Sequence, residues 1–288
     1  MLAVGLPVAF AIFIWWFTTG GLFLLNTGNR TTRRWSLVAG RWSLVGVSVV
    51  AALSFLGILV TRDDQSVSAA YIAFSCGLLI WGWQTLTYYT GTITGPRDRA
   101  CPPQATGWRR FGYGLAASLW HELAAVAGAV AIAWICIGHD NMVALWTYLV
   151  LWSMHVSAKI NLFLGVRNTG DTFLPTRLAY LTSFFKKRRM NALFPISVTA
   201  GTAIVVLSLD TALALEASQF TLTAGLLVGT LAALAVLEHL CLFLPIPADW
   251  LWRWTQTPTG VAPPGPTAPG RARSDENGAG AHNPARSS

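Results

Sequence analysis

The chain has 288 residues, of which 53% are hydrophobic and 11% charged, with a mean hydropathy of +0.50 and a formal net charge of +8. So apolar a composition with so few charges lies outside the range of soluble globular domains. The basic excess is therefore read as a membrane feature that sets topology and attracts anionic lipid, and a nucleic-acid-binding function, which wants a basic soluble surface, is excluded.

Seven apolar segments, each near or above the ~20 residues that cross a bilayer, predict an all-α fold: a polytopic membrane protein with a bundle of seven transmembrane helices over residues 1–254. The first, 2–25, lacks a basic leader, is longer than a signal-peptide core and runs into arginines, so it is expected to be a retained helix. The gap behind it holds Arg30, Arg33 and Arg34, with Arg41 just inside the second segment, 36–60. There Arg34-Trp35-Ser36-Leu37-Val38 recurs as Arg41-Trp42-Ser43-Leu44-Val45, which stacks two Arg-Trp pairs on one helix face about 10 Å apart. Arg62, Asp63 and Asp64 occupy the next gap. Segment 68–93 leads into a basic gap with Arg97, Arg99, Arg109 and Arg110, stiffened by Pro96, Pro102 and Pro103.

Segments 111–138 and 141–164 are joined by a short loop in which His139 is expected to be solvated. Residues 165–191 form the longest loop, where Phe173, Leu174, Leu178, Leu181, Phe184 and Phe185 recur at near-helical spacing before Lys186-Lys187-Arg188-Arg189. That pattern predicts an amphipathic helix lying along the membrane surface. Segments 192–215 and 221–247 follow. The tail, 255–288, turns to Pro, Gly, Ala, Ser and charge, a composition that buries no core and predicts disorder. Apart from Arg62 and Lys159, every basic residue falls in or beside alternate gaps or beyond the last segment, where Arg253, Arg271, Arg273 and Arg286 lie. The positive-inside rule then places the N-terminus outside and the C-terminus inside. Trp35, Trp108, Trp146, Trp250, Trp252 and Trp254 are expected at the two interfaces as aromatic belts. Cys76, Cys101, Cys136 and Cys241 show no CxxC spacing, and no disulfide is expected.

An ionisable side chain inside a bilayer costs several kcal/mol unless it is partnered, so each is a site hypothesis. There are six: His121, Glu122, His155, Lys159, Glu238 and His239. At 1.5 Å per residue His121 lies about 15 Å from the cytoplasmic face, His155 and Glu238 about 13 Å, and Lys159 about 7 Å. His155 and Lys159 share a helix face, with Asn161 on the next turn. Lys159 needs an anion, and Glu122 and Glu238 are the acids at its depth. Three readings of this network stay open: an ion-pair and hydrogen-bond lock on helix packing, a ligand or cofactor site, and catalysis. His121-Glu122 begins like the zinc-protease motif HExxH, but Ala125 fills the second histidine position and rules that motif out. A rhodopsin-like Schiff base is disfavoured because Lys159 lies in the fifth segment. A histidine and carboxylate cluster binding iron or zinc across helices is a further option, with the metal unspecified. His121, His155 and His239 are candidate ligands for the magnesium of a chlorophyll.

Three stretches carry a family resemblance: Trp81-Gly82-Trp83 with Thr94-Gly95-Pro96-Arg97 and Ala100-Cys101-Pro102-Pro103; Trp108-Arg109-Arg110-Phe111 leading to His121-Glu122-Leu123; and Ser157-Ala158-Lys159-Ile160-Asn161-Leu162-Phe163-Leu164-Gly165-Val166, continuing through Phe173-Leu174-Pro175 and Met190-Asn191 to Phe194-Pro195. Over residues 10–215 the chain resembles the photosynthetic complex assembly protein 2 family, the PuhE-like membrane proteins of anoxygenic phototrophic bacteria. The resemblance implies a multi-pass protein of the bacterial inner or photosynthetic intracytoplasmic membrane. Its role would be to support formation of reaction-centre and light-harvesting complexes, with bacteriochlorophyll as the implied cofactor. Implied partners are membrane lipid, reaction-centre or light-harvesting subunits, and other assembly factors.

The family resembled carries a basic residue, often arginine, where this chain has His155, and a His-Glu pair where it has Gln84-Thr85. Those departures favour His121 and Glu122 over His155 as pigment contacts. Arg97, Arg109, Arg110, Lys186, Lys187, Arg188 and Arg189 form the expected cytoplasmic docking surface. The expected function is non-enzymatic assembly; the alternative is an intramembrane metal-dependent enzyme acting on a tetrapyrrole or lipid, with His121 and Glu122 as acid-base groups. A transporter would call for paired mid-membrane helix breaks, and the sequence has no proline-broken pair.

Overall fold

The computed structural model describes the backbone of residues 2–26, 33–171 and 174–244, and the side chains of 2–21, 42–171 and 174–244. Phe173, the side chains of the first Arg-Trp pair with Arg41, the tryptophans and arginines beyond residue 244, and the tail 255–288 lie outside the described residues. Seven α-helices follow in chain order: α1 (Leu2–Asn26), α2 (Arg33–Thr61), α3 (Val67–Tyr89), α4 (Gly107–Cys136), α5 (Val143–Leu164), α6 (Leu193–Leu213) and α7 (Gln219–Phe243). The described chain is all-α, with one isolated β-bridge between Val166 and Lys187. Among the described residues six helices are long and apolar enough to cross a membrane, which makes the chain a multi-pass membrane protein with lipid against its apolar outer faces. α5 is the exception: it has 22 residues, but His155, Lys159 and Asn161 lower its hydropathy.

Helix ends follow from local chemistry. Ser66 and Ser218 cap α3 and α7, each accepting a hydrogen bond from the amide three residues on. The Asn191 side-chain oxygen accepts from the amides of Leu193 and Phe194 at the start of α6. α3 stops at Tyr89, short of the expected residue 93, because Thr90 closes it and Gly91 turns the chain at φ +71. α7 stops at Phe243 rather than 247: Leu244 precedes a proline, which disfavours helical backbone, and Asn168 donates to the carbonyls of Cys241 and Leu244.

α3 is the hub, packing on α1, α2, α4, α5 and α7. Phe74, Ile80, Ile132, Tyr148, Leu227 and Leu231 form the centre of one continuous apolar core. At the end where α2 meets α3, Asn141 donates to the carbonyls of Thr61, Asp64 and Ala69. His139 is not free there: its Nδ1 lies 2.6 Å from an Asp63 carboxylate oxygen.

The loop 165–191 departs from expectation. Its helix is a 3-10 helix over Thr176–Phe184, and Leu178, Leu181 and Phe184 are buried with Tyr88 and Ala117 in a second, smaller core. In a 3-10 helix residues three apart eclipse, so Leu178 and Leu181 make one narrow ridge. That ridge is spent on the ends of α3 and α4 and is not offered to a membrane surface.

Candidate functional site: a polar-floored cleft between two helices

A cavity of about 300 Å³ lies between α4 and α5, beside the end of α3 and the 3-10 helix. Phe111, Leu115, Ile160, Phe163, Leu181 and Phe184 supply apolar walls; Glu122, His155 and Lys159 supply polar groups. Phe111 and Leu115 are also partly exposed, so the cleft opens to the surface of the protein. From Phe111 to Glu122 is eleven residues, or about 16 Å of helix.

Of the two acids at the depth of Lys159, it is Glu122 that meets it, Nζ to Oε1 at 2.6 Å. The ammonium also sits 4.6 Å from the centre of the Tyr88 ring. Glu238 is not brought to this site. It is exposed on α7 and makes no hydrogen bond or ion pair among the described residues.

The two faces of α5 carry different networks. His155 and Lys159 face the cleft; Ser157 and Asn161, half a turn away, face α6 and α7. There Ser157 donates to Ser197, Asn161 donates to the Ser157 carbonyl and to Ser197, and Ser197 donates to the Leu193 carbonyl. His239 completes this second network, with Nε2 at 3.0 Å from the Ser157 hydroxyl and Nδ1 at 2.9 Å from the Ala235 carbonyl.

His121 and His155 pack 5.5 Å apart beside Trp81, and His121 lies 4.6 Å from the Tyr88 ring. His121 is fully buried with neither ring nitrogen hydrogen-bonded among the described residues, and His155 Nε2 is likewise buried without a partner among them. These positions test the three histidines as pigment ligands. His239 has both nitrogens engaged, and His121 is sealed behind aromatic rings and does not line the cavity. His155 does line it. The volume is at the lower limit of small-ligand pockets. Of the three histidines, His155 is the one that lines this cavity. No cluster of three or more His, Cys, Asp or Glu suited to a metal ion occurs among the described residues.

The loop from Thr90 to Thr106 braces the site. The Thr94 carbonyl accepts from the His121 amide at 2.9 Å, and the Ala116 carbonyl accepts from the Arg97 amide at 3.3 Å, so two backbone groups of α4 bond to the loop. Gly95 makes that approach possible: a Cβ there would collide with the carbonyl of Ala116 and lie 2.7 Å from the carbonyl carbon of Ala117.

The expected basic surface is partly dismantled. Arg110 is only 8% exposed, its guanidinium donating to the carbonyls of Phe163 and Phe184 and lying 4.2 Å from the Phe163 ring centre, because those carbonyls are left without helical partners. It locks α4, the end of α5 and the 3-10 helix together and is not a docking residue. Arg97 is half-buried over Tyr113 and donates to the Ala100 carbonyl. Arg109, Lys186, Lys187, Arg188 and Arg189 are exposed. The last four lie on an extended segment pinned to the end of α5, with the Val166 amide donating to Lys186 and the Arg188 amide donating to Val166. Lys186 is held below the usual lysine range, by desolvation first and then by the charges of Arg110 and Arg188.

Sequence reasoning missed Tyr88 and Trp81 as partners of the buried charges and Ser157 with Ser197 as the link between α5, α6 and α7. Trp81 and Tyr88 are seven apart on α3, the only signal that they share a face. Nothing in the sequence marked Arg110 apart from Arg109.

No solved structure matches the chain. In sequence it is 36% identical over 252 residues to an uncharacterised 30.4 kDa protein of Rhodobacter capsulatus encoded in the 5′ region of puhA, the match covering 84% of this chain and 87% of that protein. A family model spans residues 1–261. The chain therefore belongs to the family described as protein of unknown function DUF3623.

Proposed function

We propose that this protein is an inner-membrane assembly factor for the photosynthetic apparatus, acting on reaction-centre or light-harvesting subunits and not as an enzyme. The observation that carries the reading is kinship over most of the chain with a protein encoded in the 5′ region of puhA. In this reading all seven helices span the bilayer, the N-terminus lies outside and the C-terminus inside. α5 crosses despite its polar residues because they are turned to neighbouring helices, where Lys159 meets Glu122 and Asn161 meets Ser197. Docking falls to the exposed cytoplasmic bases Arg109 and Lys186 to Arg189, held on a pinned segment that presents them in fixed order. A rigid basic platform suits an acidic loop of a nascent subunit, since charge complementarity speeds encounter and fixes orientation.

The test is deletion of the gene in a phototrophic host, followed by near-infrared absorption of reaction-centre and antenna bands per cell. Loss of those bands, restored by the wild-type gene and not by a variant with all five exposed bases changed to glutamine, is the expected result. Normal spectra in the deletion strain would refute the assembly role. Restoration by the five-base variant would remove the docking surface from it.

A further inference from the structure

The cleft between α4 and α5 has charge at both ends, and only the inner end is balanced. At its floor Lys159 and Glu122 neutralise one another. At its outer end three cations converge with no acidic partner among the described residues: Arg110, buried against Phe163; Lys186, whose Nζ is 6.0 Å from the centre of the same ring; and Arg188. Phe163 is a wall of the cavity, and Arg110 and Lys186 stand against its ring without themselves lining the cavity. In an extended segment alternate side chains fall on one side, which puts Lys186 and Arg188 together and Lys187 opposite. Gly165, at φ +126, lets the Arg188 stem lie flat on the end of α5; a Cβ would fall 2.7 Å from Arg188 Cγ. Lys186 and Arg188 make no side-chain hydrogen bond or ion pair among the described residues. Both residues are exposed, close to an apolar slot.

From this juxtaposition we infer that the cleft binds a single-chain amphipath, its apolar chain lying between Phe111, Leu115 and Ile160 and its phosphate-type anionic head held by Lys186 and Arg188. A cavity of about 300 Å³ suits one chain better than two. Arg110, whose guanidinium is engaged with two carbonyls, supplies charge without direct contact. His155 Nε2, buried and without a partner at the inner end, offers a hydrogen bond to a polar group near the chain terminus. This inference stands apart from the photosynthetic role, since it rests on the cleft alone.

The test uses full-length protein in a zwitterionic detergent and a long-chain alkyl phosphate as probe, read by thermal unfolding and by native mass spectrometry. Alkyl phosphate is expected to raise Tm in a saturable manner and to remain bound at one per chain. An alkyl trimethylammonium of equal length and inorganic phosphate alone are expected to do neither. Changing Lys186 and Arg188 together to glutamine should weaken binding at least about tenfold for each charge-assisted hydrogen bond removed. Gly114 lines the cavity with its missing side chain directed at Phe163 and Phe184. Gly114→Leu should therefore abolish binding. Binding of alkyl phosphate undiminished in the double variant would overturn the head-group assignment. If the double variant does not fold, unchanged binding in Gly114→Leu would still overturn the placement of the chain. Equal stabilisation by inorganic phosphate would show a bare anion site and refute the amphipath.

Discussion

Breaking the Lys159–Glu122 pair from either side should give unequal losses. At 2.6 Å and an effective dielectric of 20, the pair attracts by about 6 kcal/mol. Desolvation of two ions offsets most of this, so the pair adds little net stability, yet removing one partner strands the other at a cost of about 3–5 kcal/mol. Lys159 has a fallback in the Tyr88 ring at 4.6 Å, worth about 1–2 kcal/mol in an apolar setting. Glu122 has none among the described residues. Glu122→Gln should thus cost about 2–3 kcal/mol and Lys159→Met about 3–5 kcal/mol. Combining the two substitutions removes both charges and strands neither, so the double variant should be more stable than Lys159→Met alone. The assay is a double-mutant cycle by reversible denaturation in mixed micelles, with Tyr88→Leu added to test the fallback. A cycle that closes additively to within about 0.5 kcal/mol would refute the reasoning, as would equal losses in the two single variants that Tyr88→Leu leaves unaltered.

Other perturbations have definite expected outcomes. Gly95→Ala must push the loop off α4 and should cost on the order of 3 kcal/mol, whereas Gly112→Ala, with open space around it, should stabilise α4 by about 0.5–1 kcal/mol; similar midpoints for the two variants would contradict the packing. Arg110→Lys keeps the charge but not two directed bonds to carbonyls, and a loss of about 1.5–3 kcal/mol is expected by the same unfolding assay. Outside the helices, the hydrogen bond from His139 holds the Asp63 carboxyl below its usual value of 3.8, outweighing partial desolvation. Because the folded-state value is the lower one, the contribution is present above the unfolded value and lost as pH falls through the folded one. The Tm difference between wild type and Asp63→Asn should therefore shrink as the pH falls below about 4; a gap that widens as the pH falls through that range would count against the contact.

Helix positions were legible because the apolar runs are long and separated by arginines, so α1 to α7 fall close to the expected segments. Their ends were less so. α3 closes at Thr90 because the chain folds back to bond α4, and α7 closes against Asn168, a residue about 75 positions away. Depth alone gathered His121, Glu122, His155, Lys159, Glu238 and His239 into one set, and depth is a single coordinate. The angular coordinate divides them: His155 and Lys159 turn one way from α5, His239 meets the opposite face, and Glu238, adjacent to His239, points outward. Helix rotation is set by tertiary packing, which one-dimensional spacing does not fix for residues on different helices. The amphipathic pattern of residues 174–185 correctly marked an apolar face. It could not say whether membrane or protein would receive it, since both are apolar solvents.

Arg110 and the 3-10 helix also impose an order in time. The wall formed by Leu181, Phe184 and Phe185 lies downstream of both helices that bound the cleft. A ribosome that has just released α5 leaves α4 and α5 side by side with an open trough, Phe111 and Phe163 facing lipid, and the Arg110 guanidinium one carbonyl short. Only after residue 189 emerges does the trough acquire its roof and its cationic rim. The bases at the rim therefore take their places only once the segment up to residue 189 has bonded to the end of α5, so a chain truncated before that point would hold the trough without its cationic rim.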